Sequence, residues 1–131
     1  MIYYVLQFAE EFLSTKNIAL DVSVPDDITA TFVPSKIRHQ IFLVIKEGMN
    51  NIVKHSKATK VDITISTDKT MIRIKVSDNG VGMIRNEQDQ FQYGIASMKK
   101  RIEALKGIFT IVSREHAGTD LLISVDLSAA V

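Results

Sequence analysis

Residues 36–57 read KIRHQIFLVIKEGMNNIVKHSK and form a long run with helical character. The run contains no proline, and Gly48 is its one weak helix former, at a cost of about 1 kcal/mol relative to alanine. Pro34 and Ser35 stand where such a helix would start. The pattern predicts a central helix, and the other elements are best described outward from it.

Two elements are predicted on the N-terminal side of this helix. Apolar residues recur at helical spacing over residues 2–15, which predicts an amphipathic helix. Apolar and polar residues alternate over residues 20–24, which predicts a half-buried strand. The short apolar stretch 31–33 is a candidate for a further strand.

The C-terminal side begins with a predicted hairpin over residues 60–77, and Asp78 stands where its second strand stops. Residues 83–93 fit neither period and are expected to form a mobile polar connection. Helical spacing resumes over residues 95–106, and Gly107 lies where that helix would end.

Two closing strands, at residues 109–111 and 121–127, are predicted around a turn at 116–119. Because the strands are segregated from three helices, we predict an α+β fold, a two-layer α/β sandwich. Its mixed sheet of about five strands would be covered on one face by the helices. The chain has 131 residues, 46% of them hydrophobic, which predicts one domain spanning residues 1–131.

Composition excludes several classes of function. The formal net charge of +1 argues against a nucleic-acid partner, so any phosphate binding must be local. Cysteine is absent, which excludes disulfides, thiolate nucleophiles and cysteine-ligated zinc, and which suits a reducing cytosol. No apolar run approaches the roughly 20 residues of a bilayer span, so no direct membrane contact is expected.

Four polar residues of the central helix are predicted to share one sector of its surface. At 100° per residue, Asn51, Lys54 and His55 fall within about 80° of Glu47, next to the apolar stripe. A solvated face with a weak Glu47–Lys54 pair is the alternative, because charge runs usually face water. The chemistry favours a metal-triphosphate site, since it offers a carboxylate base, an amide oxygen for a hard cation and an ammonium for a phosphate.

A second cluster follows a predicted strand. The sequence Asp78-Asn79-Gly80-Val81-Gly82 is typical of a type I′ hairpin turn, because Asn-Gly favours that geometry. However, the residues after Gly82 do not alternate as a returning strand should. Two glycines beside an acid at a strand end instead suit close approach of the backbone to a ligand.

The common phosphate-binding loops are absent from the sequence. There is no G-x-x-x-x-G-K-[ST], and residues 80–85 lack the third glycine of the dinucleotide fingerprint. Gly94, directly before the predicted helix, is a candidate for a loop whose free N–H groups and helix end face phosphate oxygens. A lone glycine there is more often a simple helix boundary.

In sequence order, these segments resemble a known family. The chain contains Glu47-Gly-Met-Asn-Asn51-Ile-Val-Lys54-His55, Asp78-Asn-Gly80-Val-Gly82, Gly94-Ile-Ala-Ser-Met98-Lys-Lys-Arg101-Ile and Gly118-Thr119. This order resembles the catalytic ATPase domain of sensor histidine kinases in the GHKL superfamily, especially the branch of the nitrate and lipid-fluidity sensors. The resemblance covers nearly the whole chain and implies a Bergerat-type ATP-binding fold.

On the central helix, the resemblance implies that Asn51 ligates Mg²⁺ and that Glu47 orients or activates the reacting group. Lys54 would contact the triphosphate of ATP, and His55 would lie against the nucleotide. One neutral ligand suits Mg²⁺, which keeps several waters and takes phosphate oxygens.

At the glycine motifs, the resemblance implies that Asp78 accepts the adenine amino hydrogen. Because an ionised carboxylate only accepts hydrogen bonds, Asp78 would favour ATP over GTP. Gly80, Gly82 and Gly94 would shape a mobile lid. Thr119 would support the base through its hydroxyl.

Several positions depart from the family pattern. Tyr93 stands where a smaller or polar residue usually precedes the lid glycine, and Lys106 replaces the first glycine of a pair. Ala117 replaces a glycine before the last motif. Gly48 stands where family members often carry alanine, which we interpret as a sign of close packing.

The resemblance implies a kinase whose phosphoacceptor histidine lies on a separate helical dimerisation domain, with a response regulator served indirectly. His39, His55 and His116 lack the setting of a phosphoacceptor. The chain is therefore expected to be a cytoplasmic catalytic fragment of a larger sensor kinase, for example the cytoplasmic end of a membrane-bound one. Such a fragment would bind Mg-ATP without completing autophosphorylation alone. The alternatives are a serine kinase of the anti-sigma type and a nucleotide-responsive binding module without catalysis.

Overall fold

The computed structural model describes residues 3–26, 32–81, 89–114 and 117–130. None of the helices in these ranges is long and apolar enough to cross a bilayer. The helices are α1 (Tyr3–Ser14), α2 (Ser35–Asn51), which is continued by a π turn (Ile52–Ser56), and α3 (Asp89–Ala104), with a final 3₁₀ turn (Leu127–Ala130). The strands are β1 (Ala19–Ser23), β2 (Lys60–Asp68), β3 (Met71–Asp78), β4 (Ile108–Arg114) and β5 (Gly118–Asp126).

The strands form one mixed sheet in the order β1-β2-β3-β5-β4. β1 runs parallel to β2, and the other neighbouring strands are antiparallel. β2 and β3 form the predicted hairpin, and β4 and β5 form the predicted closing pair. Together with the three helices, this sheet confirms the predicted α+β sandwich.

One face of the sheet carries the core, because alternate residues of each strand point to the same side. Burial alternates strictly from Val61 to Ile65 on β2 and from Ile72 to Asp78 on β3. α2 packs between α1 and α3, which lie toward opposite edges of the sheet. Full burial of one aliphatic side chain contributes roughly 1.5–3 kcal/mol to the free energy of folding. The largest of the fully buried side chains are Leu13, Ile37, Ile41, Ile45, Met49, Ile63, Ile72, Ile74, Met98, Ile102 and Ile123.

Two predictions of secondary structure are wrong within the described ranges. Phe32 and Val33 are not in a strand, and residue 31 lies outside the description. α3 begins at Asp89, so the C-terminal part of the predicted connection 83–93 is helical, whereas residues 83–88 lie outside the description. The first turn of α3 is mostly polar, and a search for apolar periodicity cannot detect such a turn.

Helix α3 ends with a left-handed residue that is not glycine. Lys106 has a φ of 60°, and its N–H donates to the Glu103 carbonyl at 2.9 Å. The N–H of Gly107 donates to the Ile102 carbonyl at 3.0 Å, which completes a Schellman-type helix end. Lys106 stands where the resemblance leads us to expect glycine, and its side chain is attached to a backbone conformation that disfavours one.

We expect Lys106→Gly to raise the free energy of unfolding by about 0.5–1 kcal/mol, because it relieves the left-handed conformation. Equilibrium denaturation in urea measures the change. Gly107→Ala is the matched control and should destabilise the fold, since its Cβ would lie 2.6 Å from the Ser124 carbonyl oxygen. A Lys106→Gly variant no more stable than the parent chain would contradict this account of the helix end.

Candidate functional site

The polar residues of the central helix lie where its geometry changes. Glu47 and Asn51 are half-buried and one turn apart in regular α-helix, as predicted. Lys54 and His55 lie in the π turn, where i→i+5 hydrogen bonds replace the i→i+4 pattern, so the calculated common sector applies only to the first two residues. Lys54 is exposed, and the His55 side chain lies outside the description. Glu47 and Lys54 form none of the ion pairs among the described side chains.

Asp78 is the last residue of β3, and its side chain is buried at 7% exposure. It lies directly opposite Thr119 of β5, so both side chains belong to the sheet face that the helices cover. Asp78 Oδ1 accepts the N–H of Gly80 at 2.8 Å, which turns the chain back on itself after the strand. Because β2 and β5 occupy both edges of β3, the glycine motif does not lead into a returning strand, and the hairpin interpretation is wrong.

Asn79 connects this strand end to the segment that follows the π turn. Its Oδ1 accepts the N–H groups of Thr59 and Lys60 at 2.9 and 3.0 Å, and its Nδ2 donates to Thr59 Oγ1 at 2.9 Å. The Lys60 side chain instead pairs with Asp21 at 2.9 Å, and this hydrogen bond raises the pKa of Lys60. One amide side chain therefore holds two backbone segments that are about 20 residues apart in sequence.

Ser56 supplies the other half of the connection. Its carbonyl oxygen accepts the N–H of Val81 at 2.7 Å, and its hydroxyl donates to the Ile52 carbonyl at 2.8 Å. A Cβ on Gly80 would overlap the Ser56 carbonyl group, so only glycine fits at this approach. We call these contacts, between residues 56–60 and residues 78–81, the helix–strand junction.

Gly118 makes a similar approach on the other side of Asp78. Its φ is 93°, and a Cβ there would overlap the Asp78 carbonyl oxygen. The start of β5 can therefore lie beside the end of β3 only with glycine at this position. The strand register that places Thr119 opposite Asp78 depends on this glycine.

Gly94 lies inside α3, five residues after its first residue, and not directly before the helix as predicted. The helix therefore has no free N-terminal N–H groups at Gly94. The phosphate-binding role that was predicted for a helix start at this position does not apply. A Cβ on Gly94 would lie 2.5 Å from Glu47 Oε1. The structure thus brings α3 against the carboxylate of the central helix.

The other glycine assignments have mixed outcomes. Gly82 lies outside the description, as does the side chain of Tyr93. Gly48 is buried, but a Cβ there would meet Leu121 Cδ2 at an ordinary 3.7 Å, so the close-packing interpretation is wrong. Ala117 is an exposed turn residue before β5.

Sequence reasoning missed Ser56, Thr59 and Asn79 as structural parts of the site. Each bears a short polar side chain, and such side chains commonly bond nearby backbone in turns. The signal was present in the segment Ser56-Lys57-Ala58-Thr59, but the long-range partner in the glycine motif follows only from the sheet topology.

Comparison with known proteins agrees with the geometry. Residues 37–129 match the family of histidine kinase-, DNA gyrase B- and HSP90-like ATPases. The chain is 29% identical over 106 residues to the sensor histidine kinase LiaS of Bacillus subtilis, covering 81% of this chain and 29% of LiaS. It is 28% identical over 107 residues to the nitrate/nitrite sensor protein NarX of Escherichia coli, covering 82% of this chain and 17% of NarX.

Solved structures share the fold. A histidine kinase domain from Erythrobacter litoralis superposes with a TM-score of 0.77 at 18% identity, covering 97% of this chain and 61% of that one. The Acinetobacter baumannii histidine kinase AdeS gives a TM-score of 0.73 at 22% identity, covering 96% of this chain and 62% of that one. The chain spans less than a third of the length of its curated relatives LiaS and NarX. The family match extends over most of the chain, which therefore belongs to the histidine kinase-, DNA gyrase B- and HSP90-like ATPases.

Proposed function

We propose that this chain is the Mg-ATP-binding catalytic domain of a two-component sensor histidine kinase. In this role it transfers the γ-phosphoryl group of ATP to a histidine on a separate helical dimerisation domain. The observation that carries the proposal is the helix–strand junction, which fixes Asp78 relative to the helix that bears Glu47 and Asn51. A residue suited to adenine and residues suited to phosphate and metal thereby belong to one connected unit.

Asp78 is the proposed adenine-recognition residue. Its carboxylate is buried at the end of β3, where water competes little for a hydrogen bond to a ligand. A carboxylate accepts from the amino group of adenine, whereas the carbonyl oxygen that guanine carries there would be repelled. Thr119 lies opposite and would support the base through its hydroxyl, and Gly80 leaves space for the backbone turn beside it.

Asn51 is the proposed Mg²⁺ ligand. It is half-buried on α2, one turn from the carboxylate of Glu47, and an amide oxygen suits a hard cation. A bound Mg²⁺ would neutralise charge on the phosphate oxygens. Lys54 is exposed and is assigned to the triphosphate, and His55 is assigned to a contact with the nucleotide. Gly82 and Gly94 are assigned to the lid.

Glu47 is the proposed catalytic residue. A carboxylate that accepts the N–H of the acceptor imidazole would turn the other ring nitrogen toward phosphorus. The transfer forms a nitrogen–phosphorus bond and breaks the bond between the γ-phosphorus and the oxygen that leaves with ADP. Positioning and electrostatics suffice for such a step, so no further nucleophile on this chain is required.

The same reasoning extends to partners and location. We infer a helical phosphotransfer domain as the direct partner, a response regulator as an indirect one, and a cytoplasmic position for this domain. The similarity to LiaS, which is named a sensor histidine kinase, supports a histidine kinase over a serine kinase of the anti-sigma type. Labelled ATP mixed with this chain and helical histidine segments tests it: no label on any segment, despite ATP binding, would favour the binding module.

We expect Asp78→Asn to weaken ATP binding by roughly ten- to a hundredfold and to abolish the preference for ATP over GTP, because the amide also donates hydrogen bonds. Calorimetric titration with each nucleotide measures both effects. Asp120→Asn is the matched control, since Asp120 is a buried strand acid on the opposite face of the sheet. An unchanged preference in Asp78→Asn would remove the adenine assignment.

We expect Asn51→Ala to reduce the gain in ATP affinity that Mg²⁺ provides by roughly tenfold or more, because a metal ligand is lost. Titrations with ATP in Mg²⁺ and in EDTA measure this gain. The control is Asn50→Ala, which removes the same side chain from the neighbouring helix position. If both variants kept the full Mg²⁺-dependent gain, Asn51 would not be the ligand.

A further inference from the structure

A groove between α2 and α3 lies outside the residues assigned to the nucleotide. It encloses about 380 Å³, and its lining includes Lys36, Gln40, Ser97, Lys100, Arg101 and Leu105. Ser97, Lys100 and Arg101 lie in the matched segment that begins at Gly94, but the proposed function gives no lining residue a contact with ATP. The groove is therefore a feature of the helical layer that the kinase chemistry leaves unexplained.

The groove lies toward the opposite end of the helix pair from Asp78. Arg101 donates to Gln40 Oε1 at 3.1 Å, while Gly94 approaches Glu47. From the first contact to the second, the residue number rises by seven on α2 and falls by seven on α3, so the two helices are antiparallel. At 1.5 Å per residue, the Gln40–Arg101 contact is about 10 Å along the helix axis from Glu47. A ligand in the groove would therefore lie beyond Glu47, on the side away from Asp78.

The charge of the groove is strongly positive. Lys36, Lys100 and Arg101 contribute three cations, and no acidic side chain is among its lining residues. None of the three takes part in the ion pairs of the described residues, which involve Lys60 and Lys75. The formal net charge of the whole chain is only +1. The lining of the groove is thus positively charged although the chain as a whole is nearly neutral.

Arg101 gives the groove a directional donor. The residue is half-buried, and its guanidinium has five N–H donors in a fixed fork, one of which donates to Gln40. Such a fork matches the two oxygens of a carboxylate. Leu105 is buried at 6% exposure and supplies an apolar floor beside it.

We propose that this groove docks an acidic segment of a protein partner. Carboxylates of the segment contact Lys36, Lys100 and Arg101, and an apolar side chain of the segment covers Leu105. A peptide suits the lining better than an isolated anion, because the cations come from two helices and flank an apolar surface. Nucleic acid is disfavoured, since the formal net charge of the chain is only +1. This docking goes beyond the proposed function and does not require it.

The test uses the intact chain and a short acetylated peptide of glutamates flanking one leucine. Titration followed by amide chemical shifts should give saturable changes at the groove residues, and raising salt should weaken them. Lys36→Glu/Lys100→Glu should weaken peptide binding by roughly tenfold or more. Lys46→Glu/Lys99→Glu is the matched control, with exposed lysines on the same two helices outside the groove and the same change in charge. The control variant should bind the peptide nearly as well as the parent chain does.

Two comparisons complete the test. Calorimetry with Mg-ATP should give the same affinity for both double variants, which shows that they are folded and separates this docking from nucleotide binding. Inorganic phosphate and a glutamine version of the peptide replace the acidic peptide in parallel titrations. Equal weakening in the two double variants, shift changes centred elsewhere, or saturation of the same signals by phosphate alone would overturn the proposal.

Discussion

The contact between the end of the central helix and the end of β3 is the constraint on which the site depends. The Ser56 carbonyl accepts the Val81 N–H at 2.7 Å, and Asn79 binds the N–H groups of Thr59 and Lys60. Backbone groups near a core must find partners, and the π turn and the strand end meet this requirement by bonding to each other. Asp78 therefore cannot shift relative to α2 without breaking several hydrogen bonds.

Glycine appears in the site motifs for a packing reason as well as for the flexibility that the resemblance suggests. Gly80 lies against Ser56, and Gly118 lies against the backbone of Asp78. Gly94 lies against the Glu47 carboxylate from inside a helix. In each case a Cβ would collide with a residue of the site or the junction. These glycines allow separate elements to approach one another at residues of the proposed site.

Much of the fold could be predicted because the strands alternate clearly and the central helix carries a continuous apolar stripe. The position of Asp78 at the end of its strand followed from the hairpin pattern, whereas its pairing with Thr119 was seen only in the sheet register. The start of α3 was missed because its first turn is polar, which displaced Gly94 from a helix start to a helix interior. The π turn was missed because periodicity assumes one helix geometry, so Lys54 and His55 were placed with an angle that does not apply. The partners of Asn79 were not predictable, since they depend on tertiary contacts across about 20 residues.

A single bound nucleotide should extend from Asp78 to Asn51, and a paramagnetic metal tests this most directly. With Mn²⁺-ATP in place of Mg²⁺-ATP, amide signals near the metal broaden steeply with decreasing distance. We predict the strongest broadening around Glu47 and Asn51, with weaker broadening but clear shift changes at Asp78 and Thr119. Broadening centred on Asp78, or nucleotide-induced changes confined to only one of these two regions, would contradict a shared site.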